Sequence, residues 1–185
     1  MDETQLRLLI DDHARYPTIL LNLIQGSSEQ ILRSRESPER WSPLEILAHL
    51  RDEEIEDFRP RAQSAIAGQE ITKPIAPHVW VVERRYNEMD PGAVFLDFSR
   101  ERADSCVWLN TLEPQDLDRS IPHARRGTIR AGDFIAAWRV HDLLHLRQLS
   151  TAMAILTARR LSDWKVDYAG AIPWPKSEAG ELSSS

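Results

Sequence analysis

The chain has 185 residues, 29 acidic and 23 basic, for a formal net charge of -6 with histidines neutral. That length suits one domain with a sizeable apolar core, and the acidic balance argues against a surface built to neutralise a phosphate backbone, so no nucleic-acid partner is expected. Hydrophobic residues make up 42%, yet no uncharged apolar run reaches the roughly 18 residues of a membrane span, and Met1-Asp2-Glu3-Thr4 carries acid where a secretory leader carries base; the expectation is a cytoplasmic protein with no membrane contact.

In chain order, Leu6, Leu9, Ile10, His13, Leu20, Leu23 and Ile24 recur at helical spacing and predict a first helix over 5–24, broken or kinked at Pro17. A further turn of helix is expected over 28–35, before Pro38. Trp41-Ser42-Pro43-Leu44-Glu45 then gives a clean helix start: Ser42 caps, Pro43 suits the first helical position and Glu45 stands where a capping box needs its acid. This second helix should run from 43 to about 66. The stretch 68–92 holds Pro74, Pro77 and Pro91 without a sustained period and reads as a long connection, with a helical turn near 80–86. A third helix follows over 93–112, with Phe95, Phe98, Cys106, Leu109 and Leu112 as its apolar members, and Pro114 ends it. A second loop contains Pro122 and Gly127, and its arginines Arg125, Arg126 and Arg130 read as a solvated surface. The longest helix comes last, over 133–159, with the stripe Phe134, Trp138, His141, His145, Leu149, Ala152 and Leu156. No segment reads convincingly as a strand. Four apolar stripes can be buried only against one another, so the expected fold is all-α, a four-helix bundle with long connecting loops over 1–165. Residues 166–185 read as a C-terminal extension, partly disordered, with 178–185 disordered by composition.

The chemistry concentrates in histidine. His141 and His145 stand one turn apart on one helical face, inside the apolar stripe, where two unpaired imidazoles would be costly and one ion could satisfy both. Taken alone, the pair is as readily two hydrogen-bonded core histidines. His49, on the inward side of the second helix, supplies a third nitrogen, and three neutral imidazoles leave a coordination position open for water or substrate. Glu53 shares the face of His49 and is the candidate catalytic residue, as proton acceptor, orienting group or extra ligand; a solvated helix charge among Asp52, Glu54, Glu56 and Asp57 explains it equally well. His13 reads as core or cleft packing, His78 and His123 as loop residues able to approach an open site, and Asp142 as turned about 100 degrees away from the ligand beside it. Arg102 interrupts the inward side of the third helix, either to hold an anionic substrate or to form a rim ion pair. The single cysteine, Cys106, excludes a disulfide framework and reads as a small buried side chain among apolar neighbours. No Gly-rich phosphate loop and no Gly-x-Ser-x-Gly elbow are present.

Trp41-Ser42-Pro43-Leu44-Glu45-Ile46-Leu47-Ala48-His49-Leu50-Arg51-Asp52-Glu53-Glu54, followed far along the chain by His141-Asp142-Leu143-Leu144-His145-Leu146-Arg147-Gln148-Leu149, resembles the DinB-like superfamily of YfiT-like, metal-dependent four-helix bundles. The resemblance covers about residues 5 to 160. It implies an up-up-down-down bundle and a metal held by one histidine of the second helix and two of the last, which are here His49, His141 and His145. It also implies zinc or nickel, with iron as a further choice, and a homodimer as one assembly. Reactions among relatives include hydrolysis and S-transfer from low-molecular-weight thiols, so the expected function is a metal-dependent hydrolase or thiol transferase acting on a small molecule, with a thiol cosubstrate in the second case. The competing expectations are a noncatalytic, stress-associated binding protein whose metal is structural, and a bundle whose histidines are polar core residues without a physiological ion.

Overall fold

The computed structural model describes residues 2–71, 73–124 and 126–174. Position 125 and the tail expected over 178–185 lie outside the described residues.

Helix α1 covers Glu3–Ile24 and starts with a capping box between Asp2 and Gln5. Pro17 lies inside it, and the helix runs on unbroken. A proline cannot donate to the carbonyl one turn back, which here is that of His13. That carbonyl instead accepts from Arg102 Nη1 at 3.3 Å, so a side chain on another helix replaces the missing bond. The short α2, Glu29–Arg33, is capped by Ser28. The expected second helix is two helices, α3 over Pro43–Glu56 and α4 over Phe58–Ala67, separated at Asp57 by a backbone with φ -123 and ψ -88. A left-handed Gly68 at φ 66 closes α4. Next come α5 over Pro77–Glu83, a 3-10 turn over Tyr86–Glu88, and α6 over Pro91–Leu109. A 3-10 turn over Pro114–Asp118 leads to α7 over Ala131–Arg160 by way of a hairpin.

That hairpin corrects the expectation of an irregular loop. Strand β1, Ser120–His123, pairs antiparallel with β2, Gly127–Arg130, in the register Ser120↔Arg130 to His123↔Gly127. Ile121 faces inward and joins the core with Leu6, Ile10 and Leu117, and Ile129 packs against the same cluster. One buried residue in β1 and one half-buried residue in β2 are too little alternation to register as strands in sequence. Apart from this hairpin the described secondary structure is helical, and the architecture is all-α.

Four rods form the bundle: α1, α3 continued by α4, α6, and α7. Helix α1 packs on α6 and α7, and the α3–α4 rod packs on the same two from the other side. The core has two ends. In one cluster the second half of α1 (Tyr16, Leu20, Ile24) meets the start of α3 (Leu44, Leu47), the start of α6 (Val94, Phe98) and the later part of α7 (Leu149). In the other, Leu6 and Ile10 of α1 meet Phe58 and Ala62 of α4, Leu109 near the end of α6, and Phe134 and Trp138 near the start of α7. The rods therefore run up, down, down and up, which corrects the expected up-up-down-down order. The physical reason is the placement of the connections. The segments after α1 and after α6 cross the bundle ends and reverse direction, and the segment between α4 and α6 returns along its length.

A candidate metal centre

Helix α3 presents His49 from a firmly held start. Ser42 Oγ accepts from Glu45 N at 3.2 Å and Glu45 Oε2 accepts from Ser42 N at 2.7 Å, completing the capping box read from sequence. Glu45 is itself gripped by the Arg35 guanidinium, with Arg35 Nε donating at 3.0 Å. One turn beyond His49, Asp52 accepts from Tyr86 Oη at 2.6 Å and pairs with Arg84. On α7, Tyr16 Oη donates to the carbonyl of Asp142 at 2.6 Å, which fixes the turn carrying the other two histidines.

These supports bring three imidazoles together from positions 92 and 96 residues apart in sequence. His49 Nε2 lies 3.3 Å from His141 Nε2 and 3.1 Å from His145 Nε2, and the last two nitrogens are 3.0 Å apart. Three ring nitrogens that converge in this way cannot satisfy one another. A neutral imidazole nitrogen is either an N–H or a lone pair, so among three mutual contacts at least one must set like against like. A cation at the common point removes the conflict. At a Zn–N distance of about 2.0–2.1 Å, nitrogens at tetrahedral angles stand about 3.3–3.4 Å apart, close to what is observed. The rings are also poised to be neutral. Burial first, and then His145 and His141, pull His49 down to about 2; burial and His145 pull His141 to about 3; burial lowers His145. The residues fit a divalent ion.

The cluster forms the floor of a cleft of about 410 Å³. Trp41 stands over it, 4.9 Å from the His49 ring and 6.3 Å from the parallel His145 ring, while Phe58 approaches His141 to 4.9 Å. Ile75 and Pro77 continue the apolar wall, and Arg40, His78 and Gln148 supply polar groups. Glu53 also lines the cleft and is buried, 3% exposed, so it is not a solvated helix charge. Its Oε1 lies 3.4 Å from His49 Nδ1, the nitrogen on the far side of the ring from the cluster. Burial and then the neighbouring Asp57 carboxyl push Glu53 up to about 9, and burial also raises Asp57, which pairs with Arg61.

Below the cleft lies an ion network that the sequence did not disclose. Arg102, 1% exposed, sits in the bundle centre and corrects both expectations for it, since it reaches neither the cleft nor the rim. Its Nε donates to Glu54 Oε1 at 2.8 Å, and Nη1 and Nη2 donate to the two oxygens of Asp142 at 2.8 and 2.9 Å. Glu54 also accepts from Ser105 Oγ at 2.7 Å and Trp138 Nε1 at 3.0 Å. His13 closes the group, with Nδ1 3.5 Å from Asp142 Oδ2. Burial alone would lower Arg102, but the carboxylates of Glu54 and Asp142 more than reverse that and hold it charged. Asp142, turned from the cleft, is pulled below its ordinary value by Arg102 and His13 against the effect of burial, whereas burial wins at Glu54 and raises it.

Of the remaining residues singled out in sequence, His78 is exposed at the cleft mouth, its ring 5.3 Å from Trp41. His123 ends β1, away from the three-histidine cluster, and Cys106 is a half-buried free thiol on α6 that does not line the cleft. Asp57, Phe58, Arg40 and Gln148 are among the cleft residues that sequence reasoning missed, Asp57 being disguised by its acidic neighbours.

Fold and site together define a helical bundle with a three-imidazole centre between its second and fourth rods. Residues 14–149 match the DinB superfamily, and the chain belongs to that superfamily. Among solved structures, YfiT from Bacillus subtilis, described as "a probable metal-dependent hydrolase with an unusual four-helix bundle topology", superposes with a TM-score of 0.75 over 88% of this chain and 90% of that one, at 15% sequence identity. No curated protein sequence matches the chain.

Proposed function

We propose that this protein is a divalent-metal-dependent enzyme acting on a small molecule, with His49, His141 and His145 as the ligands. The observation that carries the reading is the mutual approach of three Nε2 atoms to within 3.3 Å on the floor of a cleft. Three nitrogen ligands and no thiolate suit zinc or nickel, with iron as a third choice. When bound, such an ion lowers the proton affinity of a water or thiol and polarises the substrate.

The chain's own residues do the rest. Glu53 Oε1 stands 3.4 Å from His49 Nδ1, placed to orient the ring by a short shift, as carboxylates commonly do for metal-bound imidazoles. With Asp57 it also provides a buried carboxyl pair that can hold or pass a proton at the edge of the cleft. Trp41 and Phe58 exclude water from two sides. Hydrolysis is the first reading, because that carboxyl pair can relay a proton beside the cluster, and the description of YfiT points the same way. Transfer from a low-molecular-weight thiol is the second. A further cleft of about 560 Å³ beside His145 gives a cosubstrate room, and with Cys106 outside the site the thiol must come from elsewhere.

The test is metal content by mass spectrometry on protein purified without an affinity metal column, for the wild type and His145→Ala. One ion per chain in the wild type, lost from the variant, is expected. An undiminished ion in His145→Ala would overturn the ligand assignment. Turnover of ester and amide panels with and without added thiol then separates hydrolysis from transfer, and a metal-replete protein inactive on both supports a structural ion instead.

A further inference from the structure

The 560 Å³ cleft beside His145 is not an isolated dent. It shares Arg40, His145 and Gln148 with the metal cleft, so the two spaces communicate across the α7 side of the cluster. Its outer wall is Pro173 and Trp174, from the segment that follows the 3-10 turn over Val166–Ala169.

Its charges form an uncommon set. Glu36 lines it with a side chain only 9% exposed. One carboxylate oxygen lies 3.8 Å from Arg40 Nε, and the Arg159 guanidinium, which donates to the Glu36 carbonyl, also acts on the carboxyl, yet Oε2 is buried with no hydrogen-bond partner. A buried acceptor left bare is costly, and more so if charged, which marks a place where a donor is missing. Facing the same space, the exposed Arg147 has no ion-pair partner among the described residues. One unpartnered acceptor and one unpartnered guanidinium in the same cleft call for a ligand with a cationic donor and an anion close together.

We infer that this cleft is a subsite for an α-amino-acid group, its ammonium on Glu36 Oε2 and its carboxylate on Arg147, and that the small molecule processed at the histidine cluster carries such a group. The site as a whole rests on the metal-dependent reading; the subsite does not. Its chemistry narrows the substrate class to amino-acid and peptide-like molecules, the reacting bond lying at the cluster and the zwitterionic end beside Trp174.

Glycine is the minimal probe, with acetate and methylammonium as its two halves. In a proton–nitrogen NMR titration, glycine shifts the Trp174 indole N–H and the Arg147 Nε–H, and each half alone binds more weakly. Arg147→Ala and Glu36→Gln, neither of them a residue of the histidine cluster, each weaken glycine binding about tenfold or more, as loss of a charge-assisted hydrogen bond requires. Glycine also chelates metal ions, so the titration is repeated in His49→Ala, whose altered side chain lies outside this cleft. Binding that persists there belongs to the subsite. Binding that vanishes in His49→Ala, that ignores Arg147→Ala and Glu36→Gln, or that is absent in the wild type overturns the inference. Metal stoichiometry measured on the same samples shows separately whether the ligand assignment stands.

Discussion

Replacing Arg102 with methionine tests whether the buried network holds the four rods together. The guanidinium is 1% exposed and makes charge-assisted bonds to Glu54 on α3 and both oxygens of Asp142 on α7, besides the bond to the His13 carbonyl left open by Pro17. Methionine fills much of the same volume, so the main loss is electrostatic. Two carboxyls remain in the core without their cation, and breaking one buried pair costs about 3–5 kcal/mol. Against a total stability of about 5–15 kcal/mol, a loss at the upper end of that range approaches complete unfolding of a weak domain. At about 2–4 °C per kcal/mol for a chain of this size, the melting temperature falls by roughly 6–20 °C. The assay is urea unfolding followed by both circular dichroism and tryptophan fluorescence, with the two traces required to coincide. A triple variant, Arg102→Met with Glu54→Gln and Asp142→Asn, removes all three charges and recovers more than half of the loss, because the penalty belongs to the stranded carboxyls. If Arg102→Met alone unfolds within about 1 kcal/mol of wild type, the network contributes no more than an ordinary side chain and the reasoning fails.

Two other predictions follow from packing and burial. Tyr16 and Tyr86 are both raised above their usual value, chiefly by burial, with Asp142 adding to the first and the bond to Asp52 to the second. The native state keeps these protons where the unfolded chain releases them, so stability declines as pH rises past about 10; tyrosinate absorbance from both rings should appear together with loss of helix, and its appearance beforehand would contradict their burial. At Gly132, an added Cβ would meet the Cβ and carbonyl oxygen of Leu117, each at 3.2 Å. Gly132→Val therefore strains the entry to α7 and costs about 1–3 kcal/mol in thermal unfolding, and a neutral result would show that the turn over Pro114–Asp118 can shift to make room.

Helix starts were legible because local chemistry writes them. Ser42, Pro43 and Glu45 announce α3 within four positions, and the capping box forms as read. The three histidines were legible for a different reason, since two share one face of α7 and the third lies on an apolar face of α3. What stayed hidden depends on distant partners. The break at Asp57 is the exception, since Pro60, in the first turn of α4, has no N–H to give the Glu56 carbonyl, a local signal masked by an apparently continuous period. Arg102 reads as an inward charge of unknown partner, and neither Glu54 nor Asp142 announces itself as that partner until three helices bring all of them into one buried layer. The expected direction of the rods rested on the family resemblance alone, because apolar periodicity specifies which face of a helix is buried but not which way the helix points.

The up, down, down, up course of the rods leaves no two consecutive rods both adjacent and antiparallel, so a tight turn can join none of them. Long crossings are obligatory, and two of them furnish the rim above the histidines: Glu39, Arg40 and Trp41 from one, Ile75, Pro77 and His78 from the other. Ligands thus ride on the rods, while the residues that meet a substrate first come from tethers anchored in the core through Leu32, Trp80, Val81 and Tyr86. Exchanging those tethers offers a route to new specificities in which the imidazole trio and the ion-locked interior are inherited unchanged.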